Sequence, residues 1–215
     1  MFSWFVFVVI VLEVDLMNAV PFPLPESKGV DYIAGIDRYP AFSFSNASNV
    51  QLPAKEIFYP RLWANFSLSA VVRPLQPRGG FLFAVVSPSG QLVQFGLRIA
   101  DGEPDSSTVR LYYTDHRGMP SESTVIAEFT VHPPLTGSWS RLVMKVKGSH
   151  VTLLVECSPQ GRLTVKNRVQ DLTFQDGSTF YLAQAGPEFA DAKFEVNFTY
   201  VTRRTVWHLF TYLLT

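Results

Sequence analysis

The sequence WSRLVMKVKGSHVTLLVEC, residues 139–157, predicts a β-hairpin. Gly148-Ser149 suits a two-residue turn, because glycine can adopt the positive φ that a type II′ turn requires at its first central position. Pairing across this turn brings apolar side chains together on one face, as Val146 with Val151, Met144 with Leu153 and Leu142 with Val155. A shift of one residue would turn that face to water, so the register is well specified.

The opposite face of the hairpin is mostly polar. Its predicted pairs are Lys147 with His150, Lys145 with Thr152 and Arg141 with Glu156. The last pair joins opposite charges across two strands, an interaction that contributes roughly 0.2–1 kcal/mol. One apolar and one polar face predict that this hairpin is one wall of an antiparallel β-sandwich.

The rest of the chain has the same character. Phe at 18 and Pro at 15 of 215 residues favour strands and turns over helices. Around ten short strand segments separated by turn signals predict a sandwich or barrel. Besides the hairpin, the clearest are residues 66–72, 81–86, 92–99, 109–113, 125–131, 161–165, 179–183 and 194–201. No helix longer than two turns is expected after residue 19.

Charge and motifs exclude several function classes. Lys+Arg and Asp+Glu are 18 each, so the chain has no global attraction to nucleic acid or to an anionic membrane. The four histidines lack metal-ligand spacing, and no G-x-S-x-G elbow occurs. The sequence therefore predicts no catalytic residue, no metal ligand and no cofactor.

Residues 1–19, MFSWFVFVVIVLEVDLMNA, resemble a secretory signal peptide with cleavage after Ala19. The apolar run 2–12 has the length of a signal core and is shorter than the roughly 20 residues of a bilayer span. A buried strand or an incorrect gene start is the alternative. Residues 20–30 carry three prolines and predict an extended linker.

Three N-x-S/T sequons support export, at Asn46, Asn65 and Asn197. Strand alternation places Asn197 on the polar face of the last strand, so we expect it to point to solvent. Cys157 is the only cysteine, so no disulfide can form within the chain. We expect a free thiol that is poorly reactive because it faces the core beside Val155.

Basic residues recur on and after the hairpin. If they converge, they form a patch for a sulfated polysaccharide such as heparan sulfate, by the counterion release that governs polyanion binding. The alternative is an ordinary solvated sheet face. The residues concerned are Lys145, Lys147, Arg162, Lys166, Arg168, Arg203 and Arg204.

Several motifs together resemble the thrombospondin N-terminal-like domain, a laminin G relative, and within it the multiplexin collagens of types XV and XVIII. They are FSL at 66–68, VRP at 72–74, GFLFA at 80–84, LYYT at 111–114, GSW at 137–139, LLVEC at 153–157 and QAG at 184–186. The likeness covers residues 31–204. It implies an all-β, antiparallel two-sheet jellyroll of laminin G-like type, with about 10–13 strands and short helical turns.

The resemblance also implies a second cysteine, shortly after the last strand, that pairs with the one at the position of Cys157. Here TVWHLFTYLLT, residues 205–215, stands in that place. We expect it to be an atypical tail from splicing or from a truncated gene model, since the sandwich pattern is complete at Val201. A late strand is the alternative.

Three functions follow from the sequence. The first is a secreted, non-catalytic module of the extracellular matrix or basement membrane, with matrix proteins as partners and no membrane span. The second is a heparin- or heparan sulfate-binding module that uses Lys145, Lys147, Arg162 and Lys166. The third is a sandwich-fold glycan hydrolase, which would need two carboxylates about 5–10 Å apart in a cleft. Laminin G-type sandwiches can also bind calcium from loops such as that of Asp101 and Asp105, but a plain turn is favoured there.

Overall fold

The computed structural model describes residues 7–21, 24, 29–58, 63–102, 105–115, 117, 121–166, 170–189 and 193–210, with the backbone alone for 7–12, 37 and 200–210. The first seven strands are β1 (Phe7–Asp15), β2 (Val30–Ala34), β3 (Pro40–Phe44), β4 (Val50–Pro53), β5 (Phe66–Pro74), β6 (Gly80–Val86) and β7 (Val93–Gly102). The next seven are β8 (Ser106–Tyr113), β9 (Val125–Val131), β10 (Ser140–Lys147), β11 (His150–Val155), β12 (Ser158–Thr164), β13 (Thr179–Leu182) and β14 (Val196–Phe210).

Helical structure among these residues is limited to single turns. One α-helical turn, α1, spans Ala54–Ile57, and 3-10 turns span Leu16–Ala19 and Ile36–Arg38. Fourteen strands in the described ranges exceed the predicted upper bound of about 13 by one. The predicted all-β class with short helical turns is confirmed.

The strands form two antiparallel sheets. The larger sheet has the order β12-β11-β10-β5-β14-β3-β2, and β1 pairs with β14 beside this path. The smaller sheet has the order β4-β13-β6-β7-β8-β9. Strands that are neighbours in space are often distant along the chain, as expected for a jellyroll, and the predicted two-sheet sandwich is confirmed.

The hairpin β10–β11 has the predicted register. Leu142 faces Val155, Met144 faces Leu153 and Val146 faces Val151. All six of these side chains are buried in the main core. Gly148 has φ of 61° at the first central position of the turn, as a type II′ turn requires.

Aromatic side chains fill the space between the sheets. Phe95 of β7 lies at the centre, with ring centroids 5.2 Å from Phe83, 5.5 Å from Phe66 and 5.7 Å from Phe58. The contacts with Phe58 and Phe66 are edge-to-face, at interplanar angles of 82° and 89°. Such pairs contribute about 0.5–1.5 kcal/mol beyond their buried area, so this cluster helps to fix the spacing of the sheets.

The two ends of the described chain pair with each other. Phe7 of β1 lies opposite Phe210 of β14, and Asp15 lies opposite Thr202. Residues 202–210 thus continue the strand past Val201, where the sequence pattern was complete. Residues 7–15 are likewise a strand in this structure. Cleavage after Ala19, the linker at 20–30 and the origin of the tail at 205–215 stay predictions.

Candidate functional site

A groove of about 780 Å³ opens at the turn of the β10–β11 hairpin. Its described lining residues come from three strands and the segment before β5: Asn65, Lys145, Lys147, Gly148, Ser149, His150, Thr152 and Arg162. Three of the predicted basic residues, Lys145, Lys147 and Arg162, are therefore brought together.

Strand register explains this convergence. Lys145 lies opposite Thr152, and Thr152 lies opposite Arg162, so the three form one row across β10, β11 and β12. Lys147 and His150 form the next row, closer to the turn. Because side chains alternate between faces, both rows lie on the face that points away from the core.

Among the described residues, no ion pair neutralises the cations of the groove. Lys145, Lys147 and Arg162 are exposed, and the ion pairs found in the described ranges involve none of them. Two arginines elsewhere in the sheets are ion-paired. Arg141 meets Glu156 at 3.2 Å, as predicted for the hairpin.

A second paired arginine lies on the other sheet. Arg110 Nε donates to Glu128 Oε2 at 2.6 Å, a bond that raises the pKa of Arg110 above its ordinary value. Arg110 and Arg141 are thus ion-paired, whereas Lys145, Lys147 and Arg162 of the groove have no ion pair among the described residues.

The other predicted basic residues are less closely placed. Lys166 is exposed and follows β12, but it is not one of the described residues that line the groove. The backbone register sets Arg204 opposite Ser67 and Arg203 opposite Leu68 on β5. Arg168 lies outside the described residues.

The three sequons differ in exposure. Asn46, in the turn after β3, and Asn65, before β5, are both exposed. Asn65 lies at the rim of the groove, where its Oδ1 accepts a hydrogen bond from Gly148 N at 2.8 Å. Both positions can present a side chain to solvent, as glycosylation requires.

The predicted solvent exposure of Asn197 is wrong, because its side chain is only 2% exposed. In the amide orientation that satisfies its neighbours, Oδ1 accepts from Arg73 Nε at 3.1 Å and from Nη2 at 2.7 Å, while the amide nitrogen donates to Ser43 Oγ at 2.8 Å. Asn197 does lie opposite Ser43 and Arg73 on neighbouring strands, but these side chains cover it. A glycan has no room there.

The predicted burial of Cys157 is also wrong, because the thiol is exposed. Glu156 and Cys157 have φ of 48° and 63°, which makes them the two central residues of a tight turn between β11 and β12. The alternation that carries Val155 into the core therefore stops one residue before the cysteine. No disulfide involves Cys157, in agreement with its being the only cysteine.

Native protein is expected to react with a thiol reagent at a rate close to that of the unfolded chain. The exposed turn position of Cys157 leaves the sulfur accessible, which removes the burial that protects structural cysteines. Following the release of the reagent's chromophore with and without denaturant measures both rates. Cys157→Ser is the blank, and a native rate far below the unfolded rate would contradict the exposed position.

Another cleft lies near β4 and β13. It measures about 1100 Å³ and includes Lys55, Phe58, Asp176 and Tyr181 in its lining. The predicted loop position of Asp101 is wrong, because Asp101 lies in β7, where its carboxylate accepts a hydrogen bond from Ser107 Oγ at 2.6 Å. In the described ranges there is no cluster of three or more His, Cys, Asp or Glu side chains that could hold a metal ion, and no helix there is long and apolar enough to cross a membrane.

Solved structures share the fold. Domain 4 of AbnA, an extracellular arabinanase from Geobacillus stearothermophilus, superposes with TM-score 0.54 at 14% identity, over 94% of this chain and 83% of that one. The endo-β-1,4-glucuronan lyase of the fungus Trichoderma reesei also gives 0.54, at 9% identity, over 89% and 94% of the two chains. No protein-family model matches the chain.

The sequence is similar to a known collagen chain. It is 26% identical over 146 residues, 68% of this chain, to the collagen α-1(XVIII) chain of Homo sapiens. With the two-sheet jellyroll, this match confirms the resemblance to a thrombospondin N-terminal-like, laminin G-like domain. The aligned region is 8% of that collagen chain, so the chain corresponds to a small part of the relative.

Proposed function

We propose that this chain is a secreted, non-catalytic module of the extracellular matrix. The match to a collagen XVIII chain carries the proposal. The signal-like residues 1–19 and the exposed sequons at Asn46 and Asn65 support it. Matrix proteins are the partners that this placement implies.

Expression of the full chain in cultured animal cells tests export. We expect the protein in the medium, beginning at Val20, with an N-glycan on Asn65. Peptide mapping of the secreted protein gives both the first residue and the occupied sequons. Retention inside the cell with Asn65 unmodified would contradict the proposal.

The same module is proposed to bind sulfated polysaccharide, such as heparan sulfate, at the hairpin groove. Lys145, Lys147 and Arg162 support this role, because they are exposed around one opening and have no ion pair within the part of the chain that the structure describes. Each cation that contacts an anionic group of the polymer releases condensed counterions, which favours binding at low salt. A zero net charge does not oppose this, because the contact is local.

Replacing Lys145 and Lys147 together by alanine is expected to weaken heparin binding and to reduce its salt dependence. Each lost contact with an anionic group should lower the slope of log K against log salt by about 1, so the double variant should lose about 2. Titrations of the unglycosylated protein with a heparin oligosaccharide at several salt concentrations give the slope.

Lys55→Ala is the control, because Lys55 is exposed on α1, near the other sheet, and its substitution removes a positive charge away from the groove. Its slope should stay at the wild-type value. An equal loss in Lys55→Ala, or no change in the double variant, would argue against binding at the groove.

The absence of catalysis is part of the proposal, although one protein of the same fold is a glucuronan lyase. Incubation with uronic acid polymers should release no unsaturated ends, which ultraviolet absorbance detects. Time-dependent release that scales with protein concentration would refute the non-catalytic role.

A further inference from the structure

The hairpin turn and the sequon asparagine Asn65 are held together. Gly148 N donates to Asn65 Oδ1 at 2.8 Å, and these residues are 83 positions apart in the chain. Asn65 is exposed and lines the same groove as Lys145, Lys147 and Arg162. A group attached to this side chain would therefore lie at the basic groove from its first atom.

The hydrogen bond also fixes which atom remains available. An asparagine amide has one oxygen and one nitrogen, and here the oxygen is occupied by the turn. The amide nitrogen, to which an N-linked glycan is attached, is left at the rim. Glycosylation leaves the Oδ1 bond intact, so the glycan can be accommodated without moving the hairpin.

We propose that N-glycosylation of Asn65 covers the basic groove and thereby controls polyanion binding. This inference rests on the proposed binding of sulfated polysaccharide at the groove. A branched glycan rooted at the rim is bulky and strongly hydrated, so it competes for the opening with an incoming polymer. The chain then exists in two forms. In one, Asn65 is unmodified and the groove can bind the polymer; in the other, Asn65 is glycosylated and the glycan covers the groove.

A glycan at Asn46 has no such effect. Asn46 follows β3. Phe44 of β3 lies opposite Val196 of β14, and Val196 in turn lies opposite Pro74 of β5. Asn65 precedes Phe66, at the other end of β5. A strand of this length extends about 27 Å at about 3.4 Å per residue, so the two sequons mark opposite ends of the sheet.

The test compares glycoforms of the full chain on immobilised heparin. Ser67→Ala removes the sequon and keeps the Asn65 side chain, whereas Ser67→Thr keeps the sequon. From animal cells, Ser67→Ala should elute at higher salt and bind at least about tenfold more tightly than Ser67→Thr and the wild type. The same proteins made in bacteria, which add no such glycan, give the effect of each substitution alone.

Asn46→Gln is the matched control, since it removes a different exposed sequon, and it should elute with the wild type. Equal elution of Ser67→Ala and the wild type from animal cells, or an unoccupied Asn65, overturns control by the glycan. If the bacterial wild type binds heparin and the Lys145→Ala, Lys147→Ala variant does not, the binding role survives that result. If the bacterial wild type and the bacterial Lys145→Ala, Lys147→Ala variant bind heparin equally, polyanion binding at the groove is refuted, and the inference is refuted with it.

Discussion

Gly79→Ala is expected to lower the free energy of unfolding by about 2–5 kcal/mol, which is a large part of the about 5–15 kcal/mol that stabilises a typical domain. A Cβ on Gly79 would lie 1.9 Å from Ile99 O and 2.4 Å from Ala100 Cα. Both are backbone atoms of β7, so no side chain can rotate away. The φ of 65° adds about 1–2 kcal/mol of strain, and overpacking typically costs about 1–3 kcal/mol more.

Gly137→Ala separates these two costs. Gly137 has a similar φ of 81°, but a Cβ there would meet no atom within 4 Å. This variant should lose only the strain of about 1–2 kcal/mol. Urea unfolding followed by fluorescence measures both variants, and equal losses would show that the crowding at β7 does not matter.

Asn197→Ala is expected to destabilise the protein by about 1–3 kcal/mol. The substitution removes the acceptor of two bonds from Arg73 and the donor to Ser43, and it leaves these polar groups unpaired next to the large sheet. Arg73 also lies over the Trp139 ring, at 5.3 Å from its centroid, so its position is tied to the start of β10. For a chain of this size the melting temperature should fall by about 2–4 °C per kcal/mol.

Asn46→Ala is the control for this experiment, because Asn46 is an exposed sequon asparagine in a turn. Exposed substitutions usually change stability by less than about 0.5 kcal/mol. Unglycosylated protein from bacteria should be used for both variants, so that the loss of a glycan does not affect the measured stability. A loss in Asn46→Ala as large as in Asn197→Ala would contradict a structural role for the buried amide.

The hairpin could be predicted because several signals agree there. Period-two alternation and a glycine at the turn both set the same register, and the structure has it from Leu142 to Val155. This register, together with the pairing of β12 with β11, brings Lys145, Lys147 and Arg162 into one site. The place of Asn65 beside this groove could not be predicted, because its contact with Gly148 joins distant parts of the chain.

The errors have local physical causes. Asn197 is on the predicted face, but alternation does not show that a neighbouring arginine covers that face. Cys157 is in a turn made by two residues with positive φ, where asparagine or glycine would have been the usual signal. The short strand β4 ends at Pro53, and only its pairing with β13 identifies it as a strand.

The central place of β14 ties folding of the large sheet to the synthesis of residues 196–204. This strand separates β3 from β5, and it pairs with both through residues 196–204. Until those residues leave the ribosome, the two parts of the large sheet have open edges that can pair with other chains. Pairings between such distant segments also form slowly. We therefore expect the nascent chain to be most prone to aggregation just before residues 196–204 emerge, and stalling there would favour it.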